Sequence, residues 1–317
     1  HASNYYYTEP QARLSEILCT KTGMANVFFS NSGAEANECA IKVARKYSSD
    51  KYGEGRAVIV TLKNSFHGRT LTTLSATGQE VFHKHFGPFT PGFRYAEANN
   101  IDDIKKAAGD DVCAVMIEMI QGEGGINVLD RPFVDTITEL CRDKDILLIV
   151  DEIQTGNGRT GKMFCYEHYG IQPDIVSTAK GLAGGLPIGA TLIGCKVKDV
   201  LGPGDHGSTF GGNPVSAAAA VSVLSRIDDR LLADVEQKGE YIAKELSSCK
   251  NVISVSGMGL LIGAETSKPA AQVASECFNK GLLVLTAKNK VRLAPALNIP
   301  MQQIKEGLDI LKGVIEA

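Results

Sequence analysis

The sequence feature that most constrains the fold is a run of large apolar residues, 146–150, that ends in two adjacent acids, Asp151 and Glu152. A short, continuous apolar run of this kind is typical of a strand that is covered on both faces. An ionised carboxylate resists burial unless a positive group answers it. The run therefore predicts an interior strand whose carboxyl end carries a functional acid.

Three similar runs, 57–62, 112–117 and 175–177, are also short, apolar and bounded by Gly, Asp or Pro. Between two of the strands, residues 131–144 carry apolar side chains at helical spacing. Alternating strands and helices favour an α/β fold with a largely parallel central sheet flanked by helices.

The texture of the chain changes after residue 226, beyond an Ala-rich helix that begins near Pro214. From there we predict helices 231–247 and 271–280 and a strand pair around Gly257 and Gly259, and the runs 282–285, 291–293 and 302–315 complete the segment. A chain of 317 residues is long for one core. We therefore predict a large domain over residues 1–226 and a smaller α+β domain over residues 227–317.

The composition is that of an ordinary globular protein, with 44% hydrophobic and 22% charged residues. A net charge of -3 offers no strong field for nucleic acid or an anionic membrane, so we expect neither as a partner. We see no signal peptide or membrane-spanning run. None of the 8 cysteines forms a C-x-x-C pair, which favours reduced thiols in a cytoplasmic protein.

Residues 28–38 combine an apolar stub, a turn of small residues and the start of a helix. Ser32 and Glu35 have the spacing of a capping box, which predicts a capped helix. The same turn could bind a phosphate, because Gly33 lets backbone N–H groups approach and a helix N-terminus carries roughly half a positive charge. No lysine follows as in the nucleotide-binding loop.

Lys180 follows the predicted strand 175–177 and enters a glycine-rich turn. An average lysine is exposed to solvent. However, burial lowers the pKa of a lysine by up to about 3–5 units, which makes its amine available as a nucleophile for imine chemistry.

Phe66, His67 and Arg69 lie within four positions of one another. Phe66 could stack on a planar ring and Arg69 could hold a carboxylate bidentately; the alternative is a loop with a surface arginine. His83 and His85 lack accompanying Cys or acid ligands, so we expect no metal there.

Two glutamates, Glu118 and Glu123, leave the end of the predicted strand 112–117 and enter another glycine turn. A hydrolytic carboxylate pair is conceivable. The chain has no tryptophan and only 6% aromatic residues, which gives sugar binding no further support.

Gly156, Gly158 and Gly161 match the G-x-G-x-x-G pattern and support a nicotinamide-dependent oxidoreductase as an alternative. The context is poor, because residues 151–155 separate the first glycine from the strand and no clear helix follows.

Taken together, a phosphate-binding turn, a stacking aromatic, a carboxylate at a strand end and a reactive lysine meet the needs of pyridoxal phosphate. The chain resembles the class III pyridoxal-phosphate aminotransferases of fold type I. The matching stretches run in the family's order over nearly the whole chain: 3–11, 31–38, 65–70, 121–125, 151–156, 179–182, 208–214 and 292–295. Two features depart from the family, in that Met119 replaces a usual proline and members begin several tens of residues earlier. We expect that N-terminal segment, which helps to close the active site, to be absent.

The resemblance implies a role for each matching residue. Lys180 carries the cofactor as an imine and shuttles the proton, while Asp151 pairs with the pyridine nitrogen. Alternation at the strand end lets only one of the two adjacent acids face the ring, and the family pattern gives that place to Asp151 and not to Glu152. The remaining cofactor contacts are Gln154 near the ring hydroxyl, Phe66 against the ring, Ser32, Gly33 and Ala34 at the phosphate, and Thr209 at the phosphate of the neighbouring subunit.

The resemblance also implies a homodimer with the active site at the subunit interface. Arg69 would bind the carboxylate of N-acetylornithine, and Arg292 a carboxylate of glutamate or 2-oxoglutarate. Glu123 would neutralise Arg292 when the other substrate is present. The expected reaction is a ping-pong transfer from N-acetylornithine to 2-oxoglutarate in arginine biosynthesis. His67 and the opening Ser-Asn-Tyr-Tyr-Tyr stretch favour this donor over ornithine, succinylornithine and 4-aminobutyrate.

Overall fold

A computed structural model of the chain describes residue 3 and residues 5–317. These residues fall into two compact units. The first comprises the chain up to Met119, Leu129–Asn157 and Tyr166–Arg226, and the second comprises Ile120–Val128, Gly158–Cys165 and Ile227–Ala317. The division into domains 1–226 and 227–317 stays a prediction; two short segments from the middle of the chain belong to the second compact unit. Asn4, within the matching stretch 3–11, lies outside the described residues.

The regular elements comprise strands and α-helices that alternate along much of the chain. The strands are β1 (Asn26–Ser30), β2 (Val58–Leu62), β3 (Phe93–Ala96), β4 (Val112–Ile117), β5 (Ile120–Gln121), β6 (Asn127–Val128), β7 (Leu147–Asp151), β8 (Ile175–Thr178), β9 (Gly189–Ile193), β10 (Val252–Met258), β11 (Leu261–Thr266), β12 (Leu285–Ala287) and β13 (Lys290–Leu293). The α-helices are α1 (Glu9–Thr22), α2 (Gly33–Tyr52), α3 (Leu71–Ala76), α4 (Ile101–Ala107), α5 (Arg131–Asp143), α6 (Pro214–Leu224), α7 (Asp229–Ser247), α8 (Ala270–Asn279) and α9 (Met301–Glu316).

A seven-stranded sheet forms the centre of the first unit, in the order β1-β9-β8-β7-β4-β2-β3. The pairs from β8 to β3 are parallel, whereas β9 is antiparallel to both of its neighbours. Strand β1 therefore runs in the same direction as β8. Only β9 is reversed, so the carboxyl ends of the other six strands meet at one edge.

The core of this unit follows from the apolar runs. Strands β4 and β7 are buried along their whole length, as the sequence predicts for strands covered on both faces. Helix α2 packs Cys39, Ala40, Val43 and Ala44 against them in one hydrophobic cluster. Its small residues let the helix lie close to the sheet.

The second unit has a four-stranded sheet in the order β10-β11-β13-β12, with every pair antiparallel. Helices α7, α8 and α9 contribute Ile242, Val273 and Leu311 to its own hydrophobic cluster. This is an α+β arrangement.

The apolar run 282–285 lies mostly outside the strands, because β12 begins only at Leu285. The N–H of Leu282 donates to the carbonyl of Cys277, and the N–H of Gly281 to that of Phe278. With Gly281 at φ 82°, these bonds form a Schellman-type ending of α8. The N–H groups of Gly281 and Leu282 therefore bond to the end of the helix and are not available for pairing with a strand.

The predicted α/β architecture, with a largely parallel central sheet and helices, is confirmed. Across residues 3 and 5–317, no helix combines the length and apolarity needed to cross a bilayer.

Candidate functional site

Asp151 and Lys180 come from neighbouring parallel strands at the carboxyl edge of the central sheet. Asp151 is the last residue of β7 and pairs in register with Ser177 of β8. Lys180 follows three positions later, where a short 3-10 turn begins. Adjacent strands in a sheet lie about 4.8 Å apart, so the strand ends that carry the two side chains are close.

The carboxylate of Asp151 is 4% exposed and is held by three donors. Its Oδ2 accepts from Asn37 Nδ2 at 2.8 Å and lies 2.8 Å from His67 Nδ1. Its Oδ1 accepts from the N–H of Ile153 at 3.0 Å. A carboxylate has about four lone-pair sites, so Asp151 keeps capacity for one further donor.

Asn37 and Ser177 form a second layer behind Asp151 that sequence reasoning missed. The amide of Asn37 also donates to the carbonyl of His67 at 2.8 Å and accepts from Ser177 Oγ at 2.5 Å. Asn37 lies in the matching stretch 31–38, and its spacing from the helix start puts it on the buried face of α2. That polar residue on an otherwise small and apolar face was the available signal.

His67 and Glu118 complete the buried charged group around Asp151. Burial lowers the pKa of His67, but its hydrogen bond to Asp151 and the charges of Asp151 and Glu118 outweigh that effect and raise it. Burial raises the pKa of Glu118 to about 7, with the positive charges of His67 and Lys180 acting against the shift. The Glu118 carboxylate accepts from the N–H of Phe66 at 3.0 Å.

Glu152 faces a different set of partners from Asp151. It is fully buried, and its carboxylate accepts from Thr155 Oγ1 at 2.5 Å and from the N–H of Tyr166 at 2.8 Å. These contacts close the turn after β7. Alternation at the strand end thus separates a structural acid from the acid that faces His67.

Lys180 is exposed in this chain, so the expectation that burial would activate its amine is not supported by the chain alone. Its backbone is unusual instead. Lys180 has φ 43°, a left-handed conformation that costs a non-glycine residue about 1–2 kcal/mol. Such strain persists only where the surroundings impose it.

The N-terminus of α2 lies beside the turn that follows Asp151. Ser32 caps the helix by accepting from the N–H of Glu35 at 3.3 Å, as the sequence predicts. A Cβ on Gly33 would lie 2.8 Å from the side chain of Ile153, so only glycine fits this approach without rearrangement. A Cβ on Gly68 would lie 3.0 Å from that of Ala34, which places the loop after β2 against the same helix start.

Phe66 and Arg69 belong to that loop. The half-buried Phe66 ring meets Phe82 edge to face at 5.6 Å between centroids. The exposed guanidinium of Arg69 lies 4.9 Å from the centroid of Phe82 and 5.8 Å from that of Phe66. These cation–π contacts hold Arg69 beside the aromatic pair while leaving its donors accessible.

Thr209 is exposed in a loop near the start of α2. The preceding Ser208 accepts from Asn31 Nδ2 at 3.0 Å. Together they border a cleft of about 570 Å³ that Phe28, Ser30, Asn31, Glu35, Glu38, Lys42 and residues 206–210 line. Gln154 is half-buried in the turn after β7.

Arg292 and Glu123 lie in the second unit and form an ion pair. Arg292 Nη1 donates to Glu123 Oε1 at 2.6 Å and to the carbonyl of Gly122 at 3.2 Å. The side chain of Arg292 is only 11% exposed. Glu118 and Glu123 thus have separate partners, Phe66 N–H and Arg292, which does not favour a hydrolytic carboxylate pair.

The Gly156–Gly161 segment does not adopt the dinucleotide-binding arrangement. The chain continues from Gly156 in turns and reaches only a 3-10 helix at Cys165–Tyr169. The fingerprint requires an α-helix whose N-terminus receives the pyrophosphate. His83, from the His-Lys-His motif, lies 2.9 and 2.8 Å from the backbone carbonyls of Leu74 and Thr77.

Comparison with known proteins adds a match between residues 1–315 and the family model described as aminotransferase class-III. The chain belongs to the class III aminotransferases. An acetylornithine aminotransferase from Haemophilus ducreyi is 52% identical to it over 99% of this chain and 81% of that protein. A second, from Caldanaerobacter subterraneus, is 47% identical over 99% and 82%.

Solved structures agree with this membership. The ornithine aminotransferase of Toxoplasma gondii, which has partial occupancy of PLP at its active site, superposes with a TM-score of 0.93 at 32% identity, over 99% of this aminotransferase and 78% of that chain. The N-acetylornithine aminotransferase of Stenotrophomonas maltophilia gives 0.86 at 36% identity, over 99% and 81%. The predicted family and the predicted transaminase activity are confirmed.

The cofactor of this family of aminotransferases is pyridoxal phosphate, as predicted. The residues of the first unit fit it. Asp151 can accept one more hydrogen bond, as a pyridinium N–H requires, and the buried Nε2 of His67 has no partner among the described residues. The approach of Gly33 to Ile153 leaves the N-terminus of α2 beside that acid, where a phosphate is favoured.

Proposed function

We propose that this aminotransferase moves the terminal amino group of N-acetylornithine to 2-oxoglutarate in a ping-pong reaction of arginine biosynthesis. The observation that carries the proposal is the placement of Asp151 and Lys180 at the ends of adjacent strands, with Asp151 bound to His67 and Asn37. The names of the relatives at 52% and 47% identity support the choice of amino donor. We further propose a cytoplasmic homodimer.

Pyridoxal phosphate supplies an aldehyde for the amine and a ring that accepts electrons. In the proposal, the carboxylate of Asp151 keeps the ring nitrogen protonated, and the raised pKa of His67 keeps a donor on that carboxylate. The amine of Lys180 binds the cofactor and later takes up and returns the substrate proton. Phe66 stacks on the ring, and Gln154 lies at the ring hydroxyl.

The N-terminus of α2 binds the phosphate through Ser32, Gly33 and Ala34. Its partial positive charge and free N–H groups favour an anion there. Thr209 is proposed to reach the phosphate held by the neighbouring subunit. The exposure of Thr209 in the single chain supports a contact made outside the chain.

Arg69 and Arg292 are proposed to bind substrate carboxylates. Arg69 is accessible, whereas Arg292 is paired with Glu123 at 2.6 Å. Glu123 would leave Arg292 when the dicarboxylate substrate binds and return when the amine with a neutral tail binds. One site can then accept two substrates of different charge.

The test of the reaction compares N-acetylornithine, ornithine, succinylornithine and 4-aminobutyrate as amino donors to 2-oxoglutarate. We expect the highest kcat/KM for N-acetylornithine. A higher value for ornithine or 4-aminobutyrate would replace the proposed donor while leaving the aminotransferase assignment intact.

The test of the site uses Lys180→Ala, with the exposed Lys305→Ala as its matched control. We expect Lys180→Ala to abolish turnover and to leave the circular dichroism spectrum unchanged, because the exposed lysine adds little to the fold. Turnover retained without this amine would defeat the proposed mechanism. Lys305→Ala should behave as the unmodified enzyme does.

A further inference from the structure

We propose that Asn157 is a positioning residue that fixes the backbone on both sides of Lys180 and so determines where the Lys180 amine lies. This inference rests on the proposed role of Lys180 in the reaction. It concerns a segment whose glycine pattern suggested a dinucleotide site but whose geometry serves another purpose.

The amide of Asn157 binds the two residues that precede Lys180. Its Nδ2 donates to Thr178 Oγ1 at 2.9 Å and to the carbonyl of Ala179 at 3.2 Å. The same carbonyl accepts from the N–H of Leu182 at 3.0 Å. Asn157 therefore holds the carbonyl around which the chain turns as it leaves β8.

Asn157 also lies beside the residue that follows Lys180, Gly181. A Cβ built on Gly181 would lie 3.5 Å from the Cβ of Asn157 and 4.0 Å from its Nδ2. The side chain thus lies against the backbone both before and after the lysine. A side chain larger than hydrogen at Gly181 would be in direct van der Waals contact with it.

Asn157 and Lys180 both have left-handed backbone conformations, but only asparagine adopts this conformation readily. Asn157 has φ 57°, which asparagine adopts more readily than most residues. Lys180 has φ 43°, which lysine rarely adopts, so its surroundings must impose it. Asn157 is 4% exposed, and its two hydrogen bonds are shielded from water. It is therefore a suitable clamp for a strained neighbour.

The consequence concerns reactivity, because the amine must reach the aldehyde of the bound cofactor in one geometry. A misplacement of about 1 Å in a reacting group can lower a rate on the order of 100-fold. The Oδ1 of Asn157 has no partner among the described residues. The Nδ2 group of Asn157 therefore makes the hydrogen bonds to the turn before Lys180.

Two substitutions remove the clamp from opposite sides. Asn157→Gly deletes the amide but tolerates the left-handed backbone, and Thr178→Val deletes one acceptor while keeping the shape of the side chain. Asn99→Gly is the matched control, because Asn99 is also left-handed, at φ 61°, but is exposed and accepts from the N–H of Asp130.

The measurement is the second-order rate constant for covalent capture of pyridoxal phosphate by the apo protein, followed by absorbance well below the melting midpoint. We expect Asn157→Gly to lower this constant and kcat by roughly 10- to 100-fold, with the KM of the amino donor little changed. Thr178→Val should lower both by a smaller factor, and Asn99→Gly should match the unmodified protein.

Capture at the unmodified rate by both Asn157→Gly and Thr178→Val would overturn the inference, whatever the change in Tm. So would a crystal structure of Asn157→Gly in which Lys180 keeps φ near 43°. If Asn157→Gly fails to fold, Thr178→Val decides the question. If Lys180→Ala captured the cofactor at the unmodified rate, the proposed function itself would fail. If Lys180→Ala lost capture while Asn157→Gly and Thr178→Val captured at the unmodified rate, only the proposed role of Asn157 would fail.

Discussion

At the scale of single residues, two carboxylates at the ends of the neighbouring strands β4 and β7, Glu118 and Asp151, have different surroundings. Asp151 accepts hydrogen bonds from Asn37, His67 and the backbone N–H of Ile153. Glu118 accepts from the backbone N–H of Phe66, and burial raises its pKa to about 7. The surroundings of Glu118, and not its residue type, determine that it binds a proton near neutral pH.

The raised pKa of Glu118 gives a stability prediction with a definite sign. The folded protein binds this proton up to about pH 7, whereas an unfolded glutamate loses it near 4.3. Stability from this group is therefore present below about pH 4.3 and is lost as the pH rises towards 7. Glu118→Gln keeps an acceptor for Phe66 and should remove this dependence.

We expect Glu118→Gln to become more stable relative to the unmodified apo protein as the pH rises from 5 to 7, by about 2 kcal/mol. Urea-denaturation midpoints across that range measure the effect. The exposed Glu139→Gln serves as the control and should show no such trend. A difference between Glu118→Gln and the unmodified protein that is constant with pH would contradict the prediction.

At the scale of elements, the site is made by strand direction. Because β1, β2, β4, β7 and β8 all end at one edge, the loops that follow them bring Ser32, Phe66, Glu118, Asp151 and Lys180 to that edge. Ligands of open α/β sheets bind outside the carboxyl ends of the strands. The reversed β9 is what restores β1 to this common direction.

The contact between the start of α2 and the turn after β7 gives a second prediction. Gly33→Ala would place a Cβ 2.8 Å from Ile153, whose N–H binds Asp151. We expect the Kd for pyridoxal phosphate to rise about 10-fold, because a displaced helix start loses N–H groups aimed at the phosphate.

The matched experiment adds Ile153→Ala to Gly33→Ala. Removing the obstructing side chain should restore most of the lost affinity, while Ile153→Ala alone should bind close to normally. Cofactor titration by absorbance gives all four affinities. Equal weakening by Gly33→Ala with and without Ile153→Ala would show that steric displacement is not the cause.

Strands with continuous apolar runs and a helix with regular apolar spacing were predictable from the sequence. Elements that are buried only by their neighbours in the fold were not. The predicted strands 57–62, 112–117, 146–150 and 175–177 and the helix 131–144 all form within one residue of the expected bounds. Strand β9 was not predicted, because Gly189, Ala190 and Thr191 are small or polar and are buried by their neighbours. Lys180 was expected to be buried, yet a chain position cannot show whether a turn faces the interior.

The candidate site divides along the same line. The sequence motifs identified Asp151, Lys180 and Phe66, because strand ends and glycine turns leave a local signal. Asn37 and Asn157 were missed, since each acts through residues more than 20 positions away. The roles of the site residues stay predictions; Lys180→Ala tests the role of the amine, and Gly33→Ala tests the phosphate-binding helix start.

At the scale of the whole molecule, the two compact units have separate hydrophobic clusters. All of the residues proposed to hold the cofactor lie in the first unit. A ligand stabilises the structure that binds it, and local opening can be measured segment by segment. We expect pyridoxal phosphate to slow amide hydrogen exchange chiefly in β7, β8 and the start of α2.

Leu311→Ala, measured by the same amide hydrogen exchange, tests whether the second unit can be destabilised without weakening cofactor binding. Leu311 is 1% exposed in the cluster of the second unit, so its truncation should cost about 2–5 kcal/mol there. Exchange should accelerate in α7, α8 and α9, while the Kd for the cofactor stays near its original value. Cofactor protection spread equally over both units would contradict the expectation.

The pairing of β1 with β9 has a further consequence for synthesis of the chain. Ser30 pairs with Gly189, which leaves the ribosome about 160 residues later. At roughly 5–20 residues per second, β1 waits on the order of 10–30 s for the strand that completes its edge of the sheet. During that interval the segment Asn26–Ser30, with two adjacent phenylalanines, has no strand partner. The strand order that gathers the site at one edge thus leaves β1 without a partner until β9, the last strand of the central sheet along this chain, has been synthesised.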